Sequence, residues 1–350
     1  MSGARPALTA APRVGVALCT YNGERYLQAQ LDSLLAQTVA VEEVVIGDDG
    51  SSDGTLAILE RFASRAAALG IHVEVIRHPR NLGYVLNFSE VLRRCRAEIL
   101  FLCDQDDVWY PDRVASFLQR FDADPGLLLL HSDARLVDGA GMPLGATLLD
   151  VLGVHPAELE LERSGRVFDA ILLRNFITGA TCALRRGLLV PGLPIGPRWS
   201  HDEWLAVIAS LRGGLGLLPQ PTIDYRQHGN NQIGARRRSL LQRLGGLDLF
   251  DAQARHRTGE RLQALLGLLE GHAVQIAPAP VQGLPALAWT MAWSRLLLYR
   301  RADVHWRWIL GDAPRLLGRL ANACLAGAGW RGVGAACAGA WAGWRGRRLT

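Results

Sequence analysis

A chain of 350 residues that is 49% hydrophobic and 20% charged is globular, with room for one large domain and an appendage, which excludes collagen-like, coiled-coil and extensively disordered classes. All 38 basic residues are Arg, and this excludes chemistry that needs a lysine amine, including a Walker A phosphate loop and Schiff-base catalysis. The net charge of +5 is uneven: residues 235–350 hold 17 Arg against 6 acidic residues and residues 1–234 hold 21 against 27, so the basic character that would suit an anionic partner belongs to the last third.

Along the chain, Val14–Cys19 is an apolar, β-branched run that fits a buried parallel strand. Glu24–Gln37 carries Leu27, Leu31, Leu34 and Leu35 near helical spacing. The pattern repeats: strands at Glu43–Gly47, Ile71–Ile76, Ile99–Cys103 and Leu127–His131 alternate with helices at Thr55–Leu69, Asn87–Arg96 and Asp112–Phe121. Residues 139–167 read as irregular. Ile177–Leu184 reads as a strand, His201–Leu211 as a helix and Thr222–Tyr225 as a last strand. Strands alternating with helices predict an α/β domain with a mostly parallel, nucleotide-binding sheet, and such sheets bind ligands beyond their carboxyl ends.

Polar residues collect at those ends. Thr20-Tyr21-Asn22-Gly23 follows the first strand, Asp48-Asp49-Gly50-Ser51-Ser52-Asp53-Gly54 the second, Asn81-Leu82-Gly83 the third and Asp104-Gln105-Asp106-Asp107 the fourth. Two carboxylates two residues apart can aim at one hard divalent cation, Mg2+ or Mn2+, although taken alone the pair is more often a solvated acidic turn. In the Asp48–Gly54 stretch, Asp53 or Ser52 can cap the next helix, and one carboxylate can accept hydrogen bonds from a nucleoside. The six cysteines form no Cys-x-x-Cys pair and read as small core residues of a reducing compartment. Met1–Arg13 lacks an apolar core of signal-peptide length, so the expected location is the cytoplasm.

Taken together and in this order, TYNGERYL, EVVIGDDGSSDGT, NLG and FLCDQDDVW resemble glycosyltransferase family 2. The resemblance implies a GT-A fold over residues 14–234, a Rossmann-like sheet with mixed acceptor-side strands, followed by a helical, Arg/Trp-rich extension over 235–350. Asn175–Thr181 resembles the family's acceptor-side strand. His201-Asp202-Glu203-Trp204 and Tyr225–Asn231 are similar to stretches of rhamnosyltransferase-like members. The resemblance implies an inverting, metal-dependent enzyme of cell-surface polysaccharide assembly. Its donor would be a nucleotide sugar, with dTDP-rhamnose suggested, and its acceptor a glycan or lipid-linked acceptor; no nucleic-acid partner is expected. It places the metal on Asp106, with Asp104 toward the ribose or the metal's waters. Thr20, Tyr21, Asn22, Asp49 and Asp53 fall on the donor side, and His228 beside Arg226 is a third metal or diphosphate ligand. Asp202 becomes the catalytic base. It opens a helix, where the positive dipole end favours an ionised carboxylate, although Glu203 stands where the subgroup is often aromatic. Trp and Arg alternate in the extension, which suits contact with the inner membrane face and equally suits helices packed on the catalytic domain. Two rivals are set against this reading: a sugar-nucleotide pyrophosphorylase, disfavoured by TYNGE and the missing Lys, and a non-catalytic scaffolding subunit, disfavoured by Asp104, Asp106 and Asp202.

Overall fold

The computed structural model of the chain describes residues 13–228, apart from 155, 165–166, 169–170 and 172–174, together with Leu265. The expected helical extension over 235–350, Leu265 excepted, and the Gly229–Asn231 part of the rhamnosyltransferase-like stretch lie outside the described residues.

The first half alternates as its apolar runs predict. β1 (Val14–Thr20), β2 (Glu43–Asp48), β3 (His72–Arg77) and β4 (Ile99–Cys103) are separated by α1 (Leu27–Leu35), α2 (Thr55–Ala68) and α3 (Tyr84–Arg94). β2 and β4 are buried along their whole length, and β1 nearly so, because helices cover both faces of the sheet. Leu27, Leu31 and Leu34 of α1 and Phe88, Val91 and Leu92 of α3 are all at most 2% exposed, so both helices bury a full apolar face. Next come β5 (Val108–Trp109), α4 (Arg113–Ala123), β6 (Leu129–Val137), β7 (Pro143–Thr147), α5 (Leu148–Leu152) and α6 (Pro156–Arg163). The remaining elements are 3-10 turns at Gly179–Thr181 and Arg186–Leu188, β8 (Cys182–Arg185), α7 (Leu189–Gly192), α8 (His201–Leu211) and β9 (Leu215–Arg226).

Among the described residues these strands form one nine-stranded mixed sheet in the order β3-β2-β1-β4-β8-β6-β9-β5, with β7 added on β6. The directions determine where the chemistry gathers. β3, β2, β1 and β4 are parallel. β8 is antiparallel to both β4 and β6, so β6 runs with β4, and β9 runs parallel to β6. The carboxyl ends of β1, β2, β3, β4, β6 and β9, and the amino end of β8, therefore share one edge.

Three segments depart from the sequence reading. Residues 139–167 are not simply irregular: they hold β7, α5 and α6. A capping box built by Thr147 and Asp150 starts α5, and Gly153 (φ 62°) ends it. Ile177–Leu184 is a strand only from Cys182, because side chains take the backbone groups that a ladder would use. Asn175 bonds both the N–H and the carbonyl of Ile177, and Asp202 accepts the Gly179 N–H. The last strand begins at Leu215 rather than Thr222. Pro219 and Pro221 interrupt the apolar run, and the structure accommodates them where the β6–β9 register shifts between Ser132 and Asp133. Cys95, Cys103 and Cys182 are buried free thiols, as small core residues should be. Among the described residues no helix is long and apolar enough to cross a membrane.

The packing leaves β2 no room at Gly47. A Cβ there would fall 2.0 Å from Asn87 Oδ1 and 2.7 Å from Val91 Cγ2. Asn87 in turn donates to the Gly47 carbonyl at 2.8 Å, locking α3 to the sheet. Gly47→Ala should destabilise the fold by about 1–3 kcal/mol, the usual cost of overpacking. Urea unfolding measures this; an unchanged midpoint and slope would show that the α3–β2 contact is looser than described.

Candidate active site

Two loops at the shared edge are zipped together. Asn22 takes a left-handed turn (φ 47°), donates its N–H to Ser51 Oγ at 2.9 Å and accepts the Ser52 N–H on Oδ1 at 2.9 Å. The Gly23 N–H reaches Thr55 Oγ1 at 2.8 Å, and the Glu24 N–H reaches Asp53 Oδ2 at 3.1 Å. Asp53 also accepts the Thr55 N–H at 3.0 Å, so its carboxylate ties the first loop to the start of α2. Thr20, 2% exposed, donates to Asp48 Oδ1 at 2.9 Å. Of these loop side chains, Tyr21 stands out to solvent at 41% exposure. Asp49 is buried, and its two oxygens accept the Leu82 N–H at 2.7 Å and the Gly83 N–H at 2.9 Å. It thereby fixes the loop that leads into α3.

The Asp-x-Asp loop is joined to the same cluster through its middle residue. Gln105 accepts the Tyr21 N–H at 2.8 Å and donates to the Tyr21 carbonyl at 3.0 Å. This amide pair requires glycine at 23, where a Cβ would lie 2.3 Å from Gln105 Oε1. Asp106 Oδ2 meets His228 Nε2 at 2.8 Å. Arg226, at the end of β9, donates Nε to the Asp106 carbonyl at 2.8 Å and its backbone N–H to Asp107 Oδ1 at 3.0 Å. Tyr26 packs beneath this corner, its ring 4.8 Å from the His228 ring and under the Arg226 guanidinium.

Asp202 completes the edge. Its Oδ2 accepts the Gly179 N–H at 2.9 Å and its Oδ1 accepts the Glu203 N–H at 2.8 Å. Its charge is felt across the site: burial, then Asp106 and Asp202, push the Asp104 carboxyl up to about 7. Burial, then the Asp106 and Asp104 charges, push Asp107 well above the carboxylate range, and its Oδ2 has no hydrogen-bond partner among the described residues. Tyr84, the first residue of α3, feels Asp202, Glu203 and Asp104, and with burial as the largest cause its phenol is also raised. Asp202 is a helix carboxylate that bears on Asp104.

The structure thus brings Asp104, Asp106, His228 and Asp202 to one place, with Thr20, Tyr21, Asn22, Asp49 and Asp53 beside them. Among the described residues no group of three or more His, Cys, Asp or Glu side chains is arranged to hold a metal unaided. The chemistry of the donors nonetheless fits one. Asp106 Oδ2 and His228 Nε2 meet in one hydrogen bond at the edge of this acidic cluster, and a cation would take the place of that bond. A hard cation takes most of its remaining ligands from water and phosphate.

Comparison with known proteins agrees with this geometry. Residues 15–187 match the model of glycosyl transferase family 2. Over that stretch the chain is similar to family 2 glycosyl transferases. A protein of Mycobacterium tuberculosis described as uncharacterized, Rv1520, is 29% identical over 260 residues, which are 72% of this chain and 68% of that protein. The dTDP-rhamnosyl transferase RfbG of Shigella flexneri is 25% identical over 235 residues, 62% of this chain and 74% of its own. Among solved structures, S. aureus TarS 1–349 in complex with UDP aligns with a TM-score of 0.50 at 16% identity, covering 83% of this chain and 90% of that one. The fold is GT-A in type.

Within this site, four residues carry geometry that sequence reasoning did not assign. Gln105 and Asp107 flank Asp106, but nothing in their spacing says that one holds a backbone and the other is buried. Gly179 and Tyr26 gain their roles only from tertiary contact.

The elevated Asp104 carboxyl makes stability depend on pH. An unfolded aspartate titrates near ~3.9, so the folded state retains the proton up to about pH 7. The stabilisation is complete below the unfolded value and is lost as pH rises through about 7. With chelator present, the melting temperature of the wild type should fall relative to that of Asp104→Asn between pH 5.5 and 8.5. Parallel curves for the two proteins would contradict the placement of Asp104.

Proposed function

We propose that the chain is an inverting, metal-dependent glycosyltransferase that moves a sugar from a nucleoside-diphosphate donor to a glycan or lipid-linked acceptor. The observation that supports this most is the meeting of Asp106, His228, Asp104 and Asp202 at the carboxyl edge of the sheet. Asp106, with His228 beside it, would hold Mg2+ or Mn2+, and Asp104 would face the ribose or the metal's waters; the cation when bound supplies positive charge for the departing diphosphate. Tyr21, Asn22 and Asp49 form the nucleoside side, with Thr20 and Asp53 keeping the two donor loops in register. Arg226 offers a cation toward phosphate. Asp202 accepts the proton of the acceptor hydroxyl while that oxygen forms its bond to the anomeric carbon and the bond from that carbon to the diphosphate oxygen breaks. The likeness to RfbG, together with the HDEW stretch, favours dTDP-rhamnose among donors. Residues 235–350, rich in Arg and Trp, are proposed as the part that meets a membrane-borne acceptor.

Two substitutions separate the roles. Asp106→Asn should remove the Mn2+-dependent part of nucleotide-sugar binding, read by calorimetry with and without the metal, while the melting profile stays cooperative. Asp202→Asn should leave donor affinity nearly unchanged and lower turnover by at least about 100-fold, within the range of a general base. Glu203→Gln is the companion: a silent Asp202→Asn beside a dead Glu203→Gln moves the role to Glu203, and two active variants remove the base from α8.

A further inference from the structure

Asp202 is held across two elements, since its bond to the Gly179 N–H crosses from the start of α8 to the turn before β8. Its neighbour in sequence, His201, packs at this crossing. The His201 ring is 5% exposed and lies flat on Phe88, with centroids 3.9 Å apart and planes 16° from parallel. Tyr84 meets it edge-on at 6.0 Å and 71°. On the side of its Nε2 the ring abuts Gly179: a Cβ there would stand 2.8 Å from His201 Nε2 and 3.5 Å from the Asp202 Cβ. Neither ring nitrogen has a hydrogen-bond partner among the described residues. Burial pushes the imidazole below its ordinary value, against the opposing pull of Asp202, so the ring packs here as a neutral aromatic plate.

Phe88 and Tyr84 both belong to α3, and α3 starts at the loop whose Leu82 and Gly83 amides Asp49 holds. A continuous run of contacts therefore joins the donor-side loop to the helix that carries Asp202. We infer that His201 is a positioning residue: clamped between Phe88 and Gly179, its ring sets the first turn of α8 so that the Gly179 N–H holds the Asp202 carboxylate in one orientation. This rests on the reading of Asp202 as the base. The ring acts by its shape and not as a proton carrier, because a polar ring with both nitrogens unpaired inside an aromatic stack offers no hydrogen-bonded route for a proton.

The test uses the full-length protein and the variants His201→Ala, His201→Phe and Gly179→Ala, each crystallised and each assayed with Mn2+ for nucleoside-diphosphate release from dTDP-rhamnose, UDP-GlcNAc and GDP-mannose. In His201→Ala the Asp202 to Gly179 bond should open, and kcat should fall by about 10-fold to 100-fold, since misplacing a reacting group by about 1 Å has that scale of effect. The KM for donor should stay within about twofold, which a general loss of structure would not allow. His201→Phe should restore both the bond and kcat. Gly179→Ala, which forces the ring away, should reproduce the alanine defect even if His201→Ala does not fold. An intact Asp202 to Gly179 bond in His201→Ala, or a His201→Phe variant as impaired as His201→Ala, would overturn the inference. Full turnover in Asp202→Asn, with the bond still lost in His201→Ala, would overturn the base assignment and leave the positioning geometry standing.

Discussion

The burial of several carboxylates together at one sheet edge, with the repulsion among them, is the constraint that the rest of the site answers. Asp104 is raised by burial and by the charges of Asp106 and Asp202, and Asp107 by burial and by those of Asp106 and Asp104. At a low local dielectric such a cluster is costly unless protons, cations or hydrogen-bond donors balance it. The protein supplies part of the balance: His228 on Asp106, the Arg226 backbone on Asp107, and the Gly179 and Glu203 amides on Asp202. The remainder is what a divalent cation with its diphosphate would provide. An edge poised in this way is a poor resting place for charge and a suitable one for a metal–phosphate complex.

A second buried charge keeps the two halves of the site in register. Arg113 is fully buried beneath the sheet edge, and burial lowers its pKa to about 10. Its guanidinium lies among Trp109, Phe117 and Phe101, donates to Thr222 of β9, and donates to the Ala180 carbonyl at 3.0 Å. Ala180 follows the glycine whose amide holds Asp202, and Trp109 closes the strand that leaves the Asp-x-Asp loop. One side chain thus spans from the donor half to the acceptor half. Its cation is balanced by ring faces, the Ala180 carbonyl and the Thr222 hydroxyl instead of by a directly bonded carboxylate.

How much of this can be read from the sequence follows from what each element depends on. β1, β2 and β4 are buried on both faces, so they appear as unbroken apolar runs. The helices between them show their inward leucines and phenylalanines at helical spacing. β5 is two residues long and is defined only by its pairing with Ile223 and Asp224, so no local pattern announces it. β9 contains two prolines that a sequence reading must treat as breaks, and only the bulge opposite Ser132 and Asp133 admits them. The site is legible where its residues cluster in short motifs: Asp104, Asp106, Asp49 and Asp202 all stand at the predicted edge. It is not legible where the partner is distant in sequence. The Gln105 amide on Tyr21, the Tyr26 ring on His228 and the Gly179 amide on Asp202 require the folded chain.

The account depends on a cation and a diphosphate sharing the corner where Asp106 meets His228. Crystals of the full-length protein soaked with Mn2+ and either UDP or dTDP, measured for anomalous scattering, test this directly. The account predicts a manganese peak within about 2.5 Å of an Asp106 carboxylate oxygen, with the diphosphate on its far side and the Asp106 to His228 hydrogen bond replaced by ligation. A nucleotide bound elsewhere, or manganese held away from Asp106 with that hydrogen bond intact, would contradict it.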